Sequence, residues 1–368
     1  MKILVIRFSS IGDIVLTTPV VRCLKQQLGA EVHFLTKRNF EKLVQSNPYI
    51  DRVFSIDKKI SEVRTALKAE NYDCVVDLHG NLRTLQVKLA LGVRSYSFDK
   101  LNFEKWLITN FKINALPSVH IVDRYLKTVE PLGVKNDGKG LDFFIPKEDV
   151  ISDFRFQIPK VIAPHEATKF QIPDSTGLPS NSNSHGEIQS SQNSDSAGLP
   201  SNFKLETSNF VAFVIGAAHA TKRLPVEKIV AICNKIALPI FLIGGKEDRE
   251  RGALICTQSS SYVVNLCGQL NLNQSASVVQ QAAKVVTHDT GLMHIAAAFG
   301  KDIISIWGNT IPEFGMTPYL PTAGSHIIEV KGVACRPCSK IGYNQCPKGH
   351  FNCMQLMDTE LVAALINN

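Results

Sequence analysis

The sequence predicts an α/β protein made of two Rossmann-like domains whose parallel sheets face each other across a cleft. Three observations predict it. Short apolar runs alternate with helical patterns over residues 1–158. The same rhythm returns over 209–357. Between them, 159–208 is dominated by Ser, Asn, Gly, Pro and Gln and has too few large apolar residues to form a core. The 368-residue length suits two domains plus connecting chain. Residues 159–208 are therefore expected to be a disordered linker or insertion, and 358–368 a terminal helix.

In the first half, 2–7 reads as a buried strand and 13–28 as a helix, kinked or begun at Pro19 and closed by Gly29. Strands are expected at 31–36, 52–56 and 74–78, with helices at 39–45, 60–70 and 81–91. In the second half, strands are expected at 210–215, 239–243, 262–265 and 284–287, and 303–307 reads as the last. Helices are expected at 225–236, 247–256, 273–283, 292–299 and 358–366. Within the linker, Ser175–Asn181 returns nearly unchanged as Ser196–Asn202. Two copies cannot build a stacked core, so this is a duplicated insertion and not a solenoid.

Apolar residues make up 44% of the chain, but no segment approaches the ~20-residue run that a membrane span needs. Ser9, Ser10, Gly12 and Asp13 interrupt any leader-like apolar stretch. A cytoplasmic protein is expected. Residues 1–150 hold 23 Lys and Arg against 17 Asp and Glu, whereas the remainder is nearly balanced. A basic first half suits an anionic partner, including the inner leaflet of the inner membrane. No Arg/Lys run with interleaved aromatics supports nucleic-acid binding.

The chemistry-bearing residues cluster at strand ends. Asp13 follows the first strand across a small-residue turn, where an anion or a reacting hydroxyl would sit. Asp289, Thr290 and Gly291 follow another strand, with His294 one turn on. Free backbone N–H groups and the helix dipole there favour a pyrophosphate, and Asp289 suits a sugar hydroxyl. Lys222 and Arg223 follow a third strand end and can neutralise a diphosphate leaving group. Glu247 and Asp248 follow Gly244 and Gly245, a place where an acid commonly accepts from ribose hydroxyls. Asp77, His79 and Arg83 repeat the strand-end logic on the acceptor side, with helix capping by Asp77 and Asn81 as the plain alternative. Four of the nine cysteines, Cys335, Cys338, Cys346 and Cys353, crowd into one short stretch, with His350 as a spare ligand. Their spacing suits a structural zinc or iron site, and a reduced Cys-rich loop is the alternative.

These motifs, in this order, resemble glycosyltransferase family nine, the lipopolysaccharide heptosyltransferases. The resemblance rests on Ser9–Asp13, Asp77–Arg83, Gly216–Pro225, Asp289–His294 and Trp307–Thr310, and spans most of the chain outside the insertion. It implies a GT-B fold with the acceptor on the first domain and the nucleotide-sugar on the second. It implies inverting transfer of heptose from ADP-heptose to a lipid A-core sugar, with no cofactor for catalysis. By that analogy Asp13 is the general base. Ser10, Gly12 and Lys222 hold the diphosphate with the Thr290 and Gly291 amides. Glu247 or its neighbour Asp248 contacts the ribose, Asp289 holds heptose hydroxyls, and His294 lies beside them. Two other readings stay open: a related transferase with another nucleotide-sugar or a protein acceptor, and a non-catalytic nucleotide- or metal-binding protein.

Overall fold

The computed structural model describes residues 1–151 and 210–368; the expected linker at 159–208 lies outside the described residues. The first half is a parallel sheet of β1 (Lys2–Ile6), β2 (Glu31–Lys37), β3 (Arg52–Ile56), β4 (Cys74–Asp77) and β5 (Arg94–Ser97), in the order β3-β2-β1-β4-β5. Ile3, Leu4, Val5 and Ile6 of β1 are wholly buried, as a central strand covered on both faces requires.

The helix expected at 13–28 is two: α1 (Ile11–Val15) and α2 (Thr18–Leu28). Pro19 sits in the first turn of α2, where its missing N–H costs nothing, and Gly29 ends α2 in the left-handed conformation. The half continues with α3 (Glu41–Val44), α4 (Arg64–Ala69), α5 (Leu82–Leu91), α6 (Asn102–Phe111) and α7 (Ile121–Lys127). Asn81 caps α5 through its side chain, which accepts from the Thr84 N–H at 3.0 Å. Sequence patterning misses β5, α6 and α7. β5 is a largely exposed edge strand, and α6 turns aromatics outward, so neither shows a clean apolar stripe.

The second half has β6 (Val211–Val214), β7 (Ile240–Ile243), β8 (Val263–Asn265), β9 (Lys284–His288), β10 (Asp302–Trp307) and β11 (His326–Glu329), all parallel, in the order β11-β10-β9-β6-β7-β8. Its helices are α8 (Val226–Cys233), α9 (Arg249–Gln258), α10 (Leu272–Gln281), α11 (Gly291–Ala298), α12 (Asn352–Gln355) and α13 (Thr359–Asn367). β11 corrects the expectation that 303–307 ends the sheet. It is a four-residue edge strand with Ile327 in solvent, too short and too exposed to register as a periodic signal.

In each half the strand order reverses at one place, between β1 and β4 in the first and between β6 and β9 in the second. Loops leaving the carboxyl ends of such neighbouring strands diverge and leave a crevice. The loops at 8–13, 77–81, 215–223 and 289–290 therefore open at the two crevices. The halves share a core: Ile295 of α11 and Ala276 of α10 pack into the same cluster as Ile14, Ile121 and Tyr125. Across this seam, α1 packs closely on the start of α11, with Gly291 against the Ile11 side chain and the Gly12 backbone. A Cβ on Gly291 would fall 2.6 Å from Ile11 Cγ2 and 3.2 Å from the Gly12 nitrogen.

Candidate active site

A cleft of about 880 Å³ runs between the halves and is lined by both. Asp13 faces it from the first. The Arg7 guanidinium, itself buried, lies 2.7 Å from Asp13 Oδ1. The Ser10 N–H and hydroxyl donate to Asp13 Oδ2 at 3.0 and 2.7 Å. Burial pushes the Asp13 carboxyl up, but Arg7 and the two Ser10 donors outweigh it and hold it below the usual carboxylate range. Arg7 is in turn fixed by the Leu78 carbonyl and the Tyr125 hydroxyl. The result is an ionised, oriented carboxylate at the cleft wall.

Asp289 faces the same cleft from the second half. Its Oδ2 accepts from Lys222 Nζ at 2.5 Å and from the Thr310 hydroxyl at 2.9 Å. Lys222 Nζ also reaches the Asp289 carbonyl at 3.3 Å. Thr290 and Gly291 open α11 and line the cleft. The Lys222 loop is tied to β9 by His288, whose Nε2 accepts from the Leu224 N–H at 2.9 Å. Burial drives the His288 imidazole down to about 3, so it stays a neutral acceptor. His288 is a positioning residue that strand-end reasoning overlooks, because its partner lies 64 residues away.

Several expected residues take different parts. Ser10 directs both its donors to Asp13, and a Cβ on Gly12 would strike His294 Cδ2 at 2.5 Å. His294 is 2% exposed and is pushed down to about 4 by burial, so it wedges the two halves together as a neutral ring. Asp248 is buried, and its Oδ2 accepts from the Gly245 N–H at 3.0 Å. Gly216 and Gly244 make room for that carboxyl: Cβ atoms there would lie 2.4 and 2.9 Å from its Oδ2. Glu247, by contrast, is exposed at the cleft wall and is the free acid of the pair. Arg223 donates to the Ala217 carbonyl.

At the end of β4, Asp77 is wholly buried and its Oδ1 accepts from the His79 and Gly80 N–H groups at 3.0 and 2.7 Å. It shapes the turn. Arg83 does not line the cleft, whereas His79 does. Lys100 and Lys105, which patterning does not single out, line the cleft from the segment around α6. Burial, reinforced by Arg124, lowers Lys105 to about 8.

The expected four-thiolate shell is not formed. Cys335 and Cys338 lie together, and Cys335 Sγ is 3.8 Å from His350 Nε2. Cys353, however, is buried in α12 within the second half's core. Among the described residues, ligand atoms converge within 4.8 Å only at Glu31, His33 and Glu70. There Lys2 and Arg52 already neutralise the carboxylates, which makes it an ion-pair network. No helix among the described residues is long and apolar enough to cross a membrane.

Comparison with known proteins places this geometry. The sequence model described as Glycosyltransferase family 9 (heptosyltransferase) matches residues 60–345. Lipopolysaccharide heptosyltransferase 1 of Campylobacter coli is 25% identical over 334 residues, covering 84% of this chain and 84% of that protein. The crystal structure of a glycosyl transferase family 9 protein from Veillonella parvula superposes with a TM-score of 0.70 at 20% identity, covering 99% of this chain and 95% of that one. E. coli ADP-heptose LPS heptosyltransferase II gives a TM-score of 0.62 at 18% identity, covering 100% and 98%.

Proposed function

The chain belongs to glycosyltransferase family 9, the heptosyltransferases, and from that premise we propose that it moves heptose from ADP-heptose to an inner-core sugar of lipopolysaccharide, with inversion and with Asp13 as general base. The donor and acceptor are those printed in the names of its relatives. An acceptor hydroxyl attacks the anomeric carbon of heptose on the face opposite the ADP. The bond from that carbon to the diphosphate breaks, its electron pair leaves with ADP, and the hydroxyl proton passes to Asp13.

The residues suit these steps. Asp13 is held ionised and is therefore a weak base, which fits late proton transfer as positive charge builds on the sugar. An incoming diphosphate competes with Asp289 for Lys222 and meets the N–H groups that open α11. Asp289, released in part from Lys222, can then accept from heptose hydroxyls. Glu247 is the acid available to ribose. Lys100, Lys105 and His79 face the acceptor. Ser10 and Gly12 position Asp13 and the seam.

The observation that supports the proposal is that Asp13 and the Asp289 turn, on different halves, line one cleft where α1 packs closely on α11. The test is incubation with ADP-heptose and a heptose-deficient inner-core acceptor. ADP release coupled to a new glycosidic linkage of inverted configuration, read by NMR, is the expected result. Retained configuration, or transfer only from other nucleotide-sugars, would overturn it.

A further inference from the structure

We propose that the exposed apolar face of α6 and its neighbours seats this protein on an anionic bilayer beside the acceptor side of the cleft. The inward side of α6 is conventional: Ile108 packs on Ile311 and Phe314. The outward side is not. Phe103 is 66% exposed and Phe111 59%. Phe103 and Trp106 stack with centroids 6.1 Å apart, and Trp106 meets Phe111 edge-on at 5.2 Å. A contiguous aromatic cluster left in water marks an interaction surface.

Two neighbours extend it. On α5, Leu82, Leu85 and Leu89 share one face by helical spacing and are all exposed, whereas Thr84 and Val87 are buried. α5 and α6 are tied near their starts, where Lys100 Nζ donates to the Gly80 carbonyl at 3.0 Å. On the other side, Lys340 Nζ lies 3.5 Å from the Asn102 carbonyl and brings exposed Ile341 alongside.

Charge selects the occupant. Residues 331–350 carry four Lys or Arg and no acid; 82–91 carry two and no acid; and 100–113 carry three against Glu104. Aromatics ringed by cations match the interface of an anionic membrane, where rings enter the headgroup boundary and lysines meet the phosphates. Lys100, Asn102, Lys105, Lys340 and Ile341 also line the cleft, so a bilayer on this face delivers a lipid-linked sugar toward Asp13. The inference deepens the proposed function and rests on it for the lipid nature of the acceptor.

Its test needs neither donor nor acceptor. The chain has two tryptophans; Trp307 is 1% exposed and Trp106 46%, so Trp106 reports contact with lipid. The full chain is mixed with phosphatidylglycerol/phosphatidylethanolamine vesicles and with phosphatidylcholine vesicles. Co-sedimentation with the anionic set only, a blue shift of emission, and weakening by salt are expected. Phe103→Ser with Phe111→Ser should weaken binding about tenfold or more while leaving ADP-induced thermal stabilisation unchanged. Leu89→Ser, a milder change on α5, should weaken it in the same direction. No sedimentation, sedimentation without a blue shift, or equal binding by the double variant would overturn the proposal. So would a dimer that the double variant abolishes, which would assign the face to a second copy. Vesicle binding that survives a failure of heptosyl transfer would leave this surface standing and remove only the proposed reaction.

Discussion

The two crevices share a topology and differ in how they hold a carboxylate. At the β1/β4 crevice, Asp13 is clasped by a buried guanidinium and two Ser10 donors, all from the same half. At the β6/β9 crevice, Asp289 is held by a lysine and a threonine hydroxyl. Arginine locked by the Leu78 carbonyl and the Tyr125 hydroxyl gives a partner that stays in place. Lysine on a flexible stem gives a partner that an incoming phosphate can take over. The same βαβ construction thus yields a carboxylate clasped by a locked arginine on one side and a carboxylate held by a flexible lysine on the other.

The sharpest way to break that comparison is at Asp13. Asp13→Asn keeps the shape and removes the proton acceptor. Turnover should fall about 100-fold or more, with ADP affinity retained by calorimetry. Loss of both together would move Asp13 into donor binding. Next is Lys222→Ala, which removes a charge-assisted contact worth about 1.5–3 kcal/mol. ADP should bind roughly ten- to a hundredfold more weakly, and equal affinity would leave the exchange idea without support.

A smaller effect tests the seam joining the two crevices. Gly291→Ala places a Cβ 2.6 Å from Ile11 Cγ2. Overpacking of this kind costs about 1–3 kcal/mol, so the thermal midpoint should drop and turnover should fall with it. A separate test is a pH effect on stability. Burial pushes His294 and His79 down to about 4 from an unfolded value of 6.5. Between those values the unfolded chain binds more protons, so their contribution is complete above pH 6.5 and is lost as pH falls toward 4. Chemical denaturation midpoints from pH 7.5 to 4.5 should decline, and His294→Gln should flatten the decline if it folds.

Much of this is legible in the sequence, and the residues explain why. β1, β4 and β6 are mostly continuous apolar runs, β9 carries a shorter Val285–Val286 pair, and an acid or glycine at or beyond each strand end marks the turn by local chemistry. α6 was illegible because its aromatics face outward and give no inward stripe. Lys105 was illegible because nothing near it in the chain marks it, and its place in the cleft comes from packing. The cysteine spacing suggests a four-thiolate shell, but among the described residues these ligand atoms do not all converge within 4.8 Å.

By itself, then, the amino-acid order determined two parallel sheets and the four turns that carry their chemistry, because periodicity and strand-end residues are local properties. Which acid stays free, Glu247 and not Asp248, was decided only by tertiary structure. So were the clasp of Arg7 on Asp13 and the close packing of Gly12 and Gly291 at the seam between the halves. Each of these depends on how the folded chain packs around a group, and no local pattern in the sequence encodes that.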